Sequence, residues 1–241
     1  MRFDIMTLFP EAVEAMLGSS IIGRARAKGI LDIKTHNIRD YAFNKHKNVD
    51  DTPYGGGRGM LMATNPIYEC YNSIINSDDY DFAPEKRRVV YMSPKGKILT
   101  QEHAKELLVY DSVIILCGHY EGVDQRIIDK IVDEEISVGD YVLSGGELPA
   151  CILVDCISRM ADGVLPSAEC YEDESIFAGL LEYPQYTRPY EFCGEKVPDV
   201  LISGNHARIA QWRHEESLKI TKERRPDMYE KYIQSQNDKD K

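Results

Sequence analysis

The sequence predicts an α/β fold in which a parallel sheet carries helices on both faces. Two short apolar runs, Val89–Met92 and Val113–Cys117, have the composition of buried parallel strands. The segment between them, Thr100–Val109, is typical of a helix with Thr100 as its N-cap. A strand, a helix and a second strand in that order indicate a crossover unit of a parallel sheet.

Earlier elements continue the same alternation. Phe3–Leu8 is predicted as a strand, and Pro10 begins a helix because proline suits the first helical turn. Ile21–Lys28 is predicted as a short helix closed by Gly29. Leu31–Thr35 alternates apolar and polar residues, as a half-buried strand does.

Later elements indicate a change of architecture. Val123–Val132 is predicted as a helix, and Leu148–Met160, apolar on most faces, as a buried helix. Ala161–Glu174 is small and acidic and predicts a flexible linker or lid. Asn205–Ile220 is predicted as a helix with Trp212 on one face. The expected domains are a ligand-binding domain at 1–160, a linker at 161–174 and a small helical domain at 175–241.

Composition excludes several classes of protein. Hydrophobic residues make up 43% of the 241 residues and charged residues 29%, as in ordinary globular proteins. No apolar run approaches the length of a membrane span, and the N-terminus lacks the pattern of a signal peptide. The six cysteines and six histidines are dispersed without metal-ligand spacing. We therefore expect a cytoplasmic protein with reduced thiols, no membrane span and no metal cluster.

The charge is unevenly distributed. The net charge is −11, yet Arg24–Lys47 holds seven Lys/Arg against two Asp/Glu, and Asn205–Arg225 holds six against three. Either basic segment alone is consistent with a solvated face. Two such segments on an acidic protein could instead follow one phosphate backbone.

Three glycine-rich turns punctuate the predicted α/β domain. They are Pro53–Met60, Gly118–Gly122 after a predicted strand, and Val138–Pro149 before the buried helix. None contains a P-loop, and none has the G-x-G-x-x-G pattern of a dinucleotide site. Because parallel sheets bind ligands at the carboxyl ends of their strands, the turns predict one composite pocket.

The same turns carry a family resemblance. The sequence resembles the bacterial tRNA (guanine-N1)-methyltransferases of the SPOUT superfamily, from about Phe3 to about Asp227. The matching strings, in the order of the family, are Val49-Asp50-Asp51-x-Pro53-Tyr54-Gly55-Gly56-Gly57, Tyr91-Met92-Ser93-Pro94-x-Gly96, Cys117-Gly118-x-Tyr120-Glu121-Gly122, Gly139-Asp140-Tyr141-Val142-Leu143-Ser144-Gly145-Gly146-Glu147-Leu148-Pro149 and Leu201-x-Ser203-Gly204-Asn205-His206.

The resemblance implies a specific fold and cofactor. It implies a parallel-sheet SPOUT domain with a C-terminal trefoil knot, followed by a small helical domain. It implies S-adenosylmethionine in the knot loops, a reported need for Mg²⁺, and a homodimer whose sites are shared between subunits. The implied substrate is tRNA with guanine at position 37. The implied cofactor-binding residues are Tyr91, Met92, Ser93, Pro94, Gly118, Tyr120, Glu121, Gly122, Val138, Gly139, Asp140, Tyr141, Val142, Leu143, Ser144, Gly145, Gly146 and Pro149.

The implied chemistry needs a base and a cation. N1 of guanine carries a proton that must leave as the methyl group arrives, and charge then develops on O6. The resemblance assigns the cation to Arg159, which could otherwise be a helix C-terminal cation. A gapless count from Arg159 to Gly179 puts Glu174 at the base position of the family, where an aspartate is usual. Asp173 is the alternative base.

Residues implied to bind tRNA lie at both ends of the chain. They are Tyr54, Gly55, Arg58, Asn205, His206, Arg208 and Arg213. Arg58 stands where the family usually has proline, and it contacts phosphate or is simply solvated. His206 binds tRNA or caps its helix.

Two other functions remain open. One is that of another SPOUT methyltransferase acting on ribosomal RNA or a ribose, which the Tyr54–Gly57 loop and the Ser203–His206 string disfavour. The other is non-catalytic RNA binding, which would not need an intact cofactor cradle.

Overall fold

The computed structural model describes residues 1–167, 169–172, 174–177 and 179–239. The chain forms two compact units, residues 1–167 and residues 168–241. The domain limits at 160 and 175, and the flexibility of the segment between them, stay predictions. In the described parts of the chain, no helix combines the length and apolar character needed to cross a bilayer.

The first unit is built on a parallel sheet. Its strands are β1 (Arg2–Thr7), β2 (Asp32–Asn37), β3 (Asp50–Asp51), β4 (Leu61–Met62), β5 (Arg87–Ile98), β6 (Ser112–Cys117) and β7 (Glu134–Ser137). Within residues 1–167, all of which are described, five strands pair in the order β2-β1-β6-β5-β7, every pair parallel. The short strands β3 and β4 form an antiparallel pair beside it.

Helices cover both faces of this sheet. They are α1 (Pro10–Leu17), α2 (Ser20–Ala27), α3 (Thr64–Ile75), α4 (Gln101–Glu106), α5 (Gln125–Ile131) and α6 (Glu147–Ser158). Met6, Ile114 and Leu116 share a buried cluster with the apolar residues of α3 and α5. Because side chains alternate along a strand, their neighbours Ile5 and Ile115 face the opposite side, where α1 and α4 contact α6. Burial on both faces explains why β6 is wholly apolar apart from Ser112.

One buried ion pair lies in β1, an internal strand of the sheet. Arg2 donates from Nε to Asp4 Oδ2 at 2.7 Å, and Nε2 of His36 lies 2.8 Å from Asp4 Oδ1. Asp4 is fully buried and Arg2 nearly so. Burial opposes ionisation of Asp4, but the hydrogen bonds from His36 and Arg2 outweigh it and hold its pKa below the usual range. Strand β1 therefore holds a buried carboxylate whose charge is stabilised by Arg2 and His36.

The second unit contains short elements followed by two long helices. The elements are α7 (Glu169–Glu172), β8 (Glu191–Phe192), β9 (Glu195–Lys196), α8 (Asp199–Ile202), α9 (His206–Arg224) and α10 (Pro226–Lys239). Thr221 on α9 accepts a hydrogen bond at its Oγ1 from the backbone N–H of Leu181, at 2.8 Å. That bond ties the segment before β8 to the middle of the unit.

The predicted α/β architecture is confirmed, and its strongest apolar runs are strands. Thr100 caps α4 by accepting from the backbone N–H of His103, and a 3-10 turn at Leu107–Val109 completes the predicted helix. The sequence did not predict α3, β3, β4 or β7. The predicted buried helix at Leu148–Met160 is present as α6, and most of its residues are buried. Leu148 and Ile152, one turn apart, remain 51% and 41% exposed.

Candidate active site

A recess of the first unit opens where β5, β6 and β7 end. Its volume is about 470 Å³, within the range of small-molecule sites. The three strands are parallel, so their carboxyl ends meet at one edge of the sheet, where open α/β sheets bind ligands. We refer to this recess as the cofactor cavity.

Three separate strings of the sequence line this cavity. All the residues predicted to bind the cofactor belong to the lining except Asp140, which is exposed and outside it. The lining also includes residues that the sequence did not single out: Leu61, Lys95, His119, Val123, Gln125, Ile128, Ile136 and Ser137. Of the three glycine-rich turns predicted to form one pocket, 118–122 and 138–149 contribute to the lining, whereas 53–60 does not. What the cavity binds stays a prediction.

Tyr91, at the end of the buried part of β5, forms one wall. A Cβ on Gly118 would lie 2.8 Å from two atoms of the Tyr91 side chain, so only glycine lets the loop lie against this ring. Burial, with the charge of Glu135 added, raises the pKa of Tyr91 to about 12. The ring is thus a neutral, flat surface at working pH.

The second wall is the loop 118–122, which is held in a strained conformation. Tyr120 has φ +60°, in the left-handed region that a bulky side chain rarely adopts. Glu121 N–H donates to the carbonyl of Met60 at 3.0 Å, and Gly122 accepts from Met62 N–H at 2.9 Å. The glycine-rich turn 53–60 therefore braces this loop from outside. Such strain persists only where the surroundings fix it, commonly at functional sites.

The third wall, 138–146, lies directly against the second. Gly146 N–H donates to the carbonyl of Gly118 at 2.9 Å. A Cβ on Gly146 would lie 2.6 Å from the Cα of Cys117, which is backbone and cannot give way. Tyr141 folds back over its own loop, with its hydroxyl donating to the carbonyl of Val138 at 3.2 Å. The walls are thus joined by main-chain contacts.

A set of hydrogen-bonded polar side chains joins these walls, and the sequence did not predict it. His119 lies with Nε2 at 2.7 Å and 2.9 Å from the two carboxylate oxygens of Glu147, and Thr7 donates to Glu147 at 2.5 Å. Thr7 and Glu147 are 140 positions apart, so no local signal links them. Only the neighbouring glycines pointed to this region.

The lining suits a ligand with a flat ring and charges of both signs. Tyr91, Ile136 and Val123 supply apolar surface, and the loop backbone supplies hydrogen-bonding groups. Glu121 and Lys95 line the cavity with opposite charges. An electroneutral, purely apolar ligand would leave these groups unused.

Arg159 does not line the cofactor cavity. It is the half-buried C-cap residue of α6 and borders a separate groove of about 440 Å³ with Met16, Leu17 and Ile152. Met16 and Ile152 are both exposed there, so the groove has an apolar margin. Arg159, the predicted catalytic cation, therefore lies outside the cofactor cavity of its own unit.

The predicted bases belong to the second unit. Glu174 is exposed, and its backbone N–H donates to the carbonyl of Tyr171 at 3.3 Å. Asp173 lies outside the described residues. In the parts of the chain that are described, no group of three or more His, Cys, Asp or Glu side chains is arranged to hold a metal ion.

The residues predicted to bind tRNA lie at two exposed places. Tyr54 is 98% exposed, and Gly55 and Arg58 share its turn. In the second unit Asn205 is the cap of α9, accepting from the N–H of Arg208 at 3.1 Å. The alternative that His206 caps this helix is therefore wrong, and His206 is its exposed first residue.

Arginine and aromatic side chains meet on α9. The guanidinium carbon of Arg213 lies 4.8 Å from the ring centre of Tyr183, and the rings of Tyr186 and Trp212 are 6.3 Å apart. We call the recess of about 370 Å³ beside them the aromatic recess. It is lined by Tyr183, Pro184, Gln185, Tyr186, Thr187, Arg188, Tyr190, Val197, Leu201, Ile202, Ile209 and Arg213.

Comparison with known proteins gives a single family. The sequence model described as "tRNA (Guanine-1)-methyltransferase TrmD" matches residues 1–231. A tRNA (guanine-N(1)-)-methyltransferase of Ruminiclostridium cellulolyticum is 54% identical over 231 residues, which cover 96% of this chain and 97% of the relative. Its namesake in Clostridioides difficile is 54% identical over 231 residues, 96% of this chain and 98% of the relative. That of Clostridium perfringens strain SM101 is 54% identical over 238 residues, 99% and 97% of the two chains.

Proposed function

Because this chain belongs to the tRNA (guanine-1)-methyltransferase family, we propose that it transfers a methyl group from S-adenosylmethionine to N1 of guanine 37 in tRNA, beside the anticodon. The observation that carries the proposal is the cofactor cavity. Three strings far apart in sequence, each matching the family, line one recess at the carboxyl ends of β5, β6 and β7. A merely RNA-binding relative would not need that recess.

The residues of the cavity fit S-adenosylmethionine. Gly118 and Gly146 lie where a Cβ would meet Tyr91 or Cys117, so the loop backbone approaches the recess closely. Amide and carbonyl groups of such loops hydrogen-bond an adenine edge, while Glu121 and Lys95 suit the charged ends of the molecule. The trefoil knot proposed for this part of the chain follows from the family alone.

The proposed mechanism assigns the proton and the developing charge to two residues. When bound, S-adenosylmethionine supplies a methyl group on a sulfonium, a good electrophile with a neutral leaving group. Glu174 takes the proton from N1 of guanine, which frees the nitrogen lone pair for attack. Arg159 holds a guanidinium near O6 and stabilises the negative charge that develops there. We also propose that methyl transfer depends on Mg²⁺. Measuring methyl transfer before and after chelation of the ion checks this.

Arg159 supports a site shared between two copies of the chain. It borders an apolar groove outside the cofactor cavity, beside exposed Met16 and Ile152. An apolar face of this kind on a helix is typical of a protein–protein interface. We therefore propose a homodimer in which this face is covered. A monomeric mass by light scattering at micromolar concentration would contradict it.

Two exposed surfaces are proposed to hold tRNA. One is the turn with Tyr54, Gly55 and Arg58, which braces the cofactor cavity through Met60. The other is the start of α9, with Asn205, His206, Arg208 and Arg213, next to the aromatic recess. Arginines beside exposed aromatic rings suit phosphates and unpaired bases. The proposed site of action is cytoplasmic, and the 161–174 segment is proposed to order when tRNA binds.

Methyl transfer tests the function directly. Tritium from labelled S-adenosylmethionine should enter a tRNA with guanines at positions 36 and 37. It should not enter the same tRNA with adenine at position 37. Equal labelling of both would contradict the assigned substrate, and transfer to a ribose or to ribosomal RNA would indicate another SPOUT activity.

Isosteric amides test the base. Glu174→Gln should slow single-turnover methyl transfer by about 10²-fold, the scale of a general base, while cofactor binding stays intact. Asp173→Asn should slow single-turnover methyl transfer much less. The matched control is Glu230→Gln, an exposed carboxylate on α10. If the effects of Glu174 and Asp173 are reversed, Asp173 is the base. If neither matters, the catalytic assignment fails.

A further inference from the structure

We propose that His119 is a positioning residue of the cofactor site, which clasps the loop 118–122 to the start of α6 through Glu147. The proposal rests on the proposed function of the cavity as the S-adenosylmethionine site. It assigns no contact between His119 and the reacting atoms. Its effect acts through the two walls that the clasp joins.

The clasp gathers three parts of the fold at one carboxylate. Nε2 of His119, from the loop 118–122, lies 2.7 Å and 2.9 Å from the carboxylate oxygens of Glu147. Thr7, at the end of β1, donates from its hydroxyl to Glu147 at 2.5 Å. The backbone N–H of Phe9 donates in turn to Thr7 at 2.9 Å. One carboxylate thus fixes a central strand, a cavity wall and the first turn of a helix.

Burial makes this clasp more than a surface contact. Glu147 is 9% exposed and Thr7 fully buried. A carboxylate this buried is tolerated only when hydrogen bonds and charge partners replace its lost water. Removing His119 therefore leaves Glu147 short of a partner and frees the loop that His119 held.

The clasp also bears on the third wall. A Cβ on Gly145 would fall 2.2 Å from Cε1 of His119, so the imidazole occupies the space that a side chain there would need. The next residue, Gly146, is bonded through its N–H to Gly118. His119 and Glu147 therefore fix the distance between two cavity walls, and His119 also lines the cavity itself.

A second histidine–glutamate pair in the same unit serves as a matched control. His103 Nε2 lies 2.9 Å from Glu134 Oε2, and the His103 side chain is buried like that of His119. Neither His103 nor Glu134 lines the cofactor cavity. A purely stabilising role would make the two pairs equivalent in every measurement.

The experiment compares four variants of the full chain: His119→Ala, His119→Gln, His103→Ala and His103→Gln. Calorimetry measures the Kd of S-adenosylmethionine without tRNA, and thermal unfolding measures Tm. We expect His119→Ala to weaken cofactor binding about tenfold or more, the scale of a lost hydrogen bond to a charged group. Glutamine places an N–H near the position of Nε2, so His119→Gln should restore Kd to within about threefold.

The control pair should behave differently. His103→Ala should lower Tm but leave Kd within about twofold, because the pair lies outside the cavity. In His119→Ala, saturating cofactor should return the single-turnover rate close to that of the parent protein. If a single-turnover deficit persists at saturation, His119 acts on the chemistry and the positioning role is wrong.

Other outcomes separate this inference from the proposed function. Equal Tm losses in the two alanine variants with an unchanged Kd would overturn the clasp and leave the function intact. Failure of the parent protein to bind S-adenosylmethionine would instead overturn the function of the cavity. A His119→Gln variant as weak as His119→Ala would show that the hydrogen bond is not the cause.

Discussion

The cofactor cavity and the aromatic recess are built in opposite ways. The cavity stands on buried strands, and its walls are tied to one another by backbone hydrogen bonds. The recess is formed by Tyr186, Tyr190 and other side chains that remain about half exposed. A small ligand gains most from a site whose groups are fixed before it arrives. A polymer can instead gather many weak contacts over an exposed surface.

The two regions therefore differ in how a substitution acts. A substitution in the cavity alters the distances between its walls. It therefore strains the surrounding structure or leaves a buried charge without its partner. A change in the recess removes one contact among several and leaves its surroundings in place. Of three predictions, the first tests the buried sheet on which the cavity stands, and the next two test the cavity and the recess, from the largest expected effect to the smallest.

Asp4→Asn should lower the free energy of unfolding by about 3 kcal/mol, since it removes the one buried counter-charge of Arg2 and leaves only the more exposed Asp32 and Asp79 beside it. The lowered pKa of Asp4 in the folded state means that its stabilisation is full above pH 4 and declines as the pH falls further. Denaturant unfolding followed by circular dichroism at pH 7 and at lower pH should thus show a shallower acid dependence in the variant. An unchanged midpoint would refute a compensated charge in the core.

Trp212 adds a readout confined to the second unit, because it is the chain's one tryptophan. In the Asp4→Asn variant, hydrogen exchange of the β1 and β2 amides should accelerate. If the Trp212 fluorescence transition shifts by the same amount, the two units unfold together and the contrast between them does not extend to stability.

Gly146→Ala should weaken S-adenosylmethionine binding about 10- to 100-fold, as overpacking against fixed backbone does. The added methyl would lie 2.6 Å from the Cα of Cys117 and 2.9 Å from the nitrogen of Gly118. Gly194→Ala is the control in the second unit: nothing lies within 4 Å of the added atom, and the strain of an alanine at φ +87° falls on that turn rather than on the cavity. Calorimetry should find the Kd of S-adenosylmethionine unchanged in Gly194→Ala. Equal losses in both would mean that the cavity walls are no stiffer than a surface turn.

Arg213→Ala should weaken tRNA binding about fivefold, the size of one cation–π and phosphate contact. The slope of log K against log salt should fall by about one. Lys196→Ala is a suitable control, since Lys196 lies 3.7 Å from the carboxylate of Glu191 and its charge is already balanced. Filter binding over a range of salt concentrations measures both the affinity for tRNA and its dependence on salt. A loss above 100-fold would make the aromatic recess a preorganised site like the cavity.

Local patterns were enough to predict most of the sheet and part of the cavity. The runs in β5 and β6 are apolar because both faces are covered, and that composition is visible without a structure. By contrast, β7 begins with Glu134, which is held by Arg88 and His103 from distant parts of the chain. Tertiary partners make that strand possible, so propensity alone could not predict it.

The candidate site shows the same division. Its glycines mark close backbone approaches, which depend on the residue type and were therefore recognisable. The bond between Thr7 and Glu147 depends on sheet order instead, and no spacing encodes it. Asp140 belongs to a matching string but is exposed and does not line the cavity, since a loop exposes some of its residues whatever it binds. The separation of Arg159 from the cavity likewise emerges only in three dimensions.

The position of β1 in the sheet has a consequence for synthesis. Arg2 lies opposite Asp32 on one side and opposite Ser112 on the other, so β1 is an internal strand that is made before both of its partners. A ribosome adds about 5–20 residues per second, so β1 exists for several seconds before β6 is available to pair with it. Until then one edge of an apolar strand is open, a template for pairing with other chains. Nascent chains that stall between β2 and β6 should therefore be the ones most dependent on chaperones.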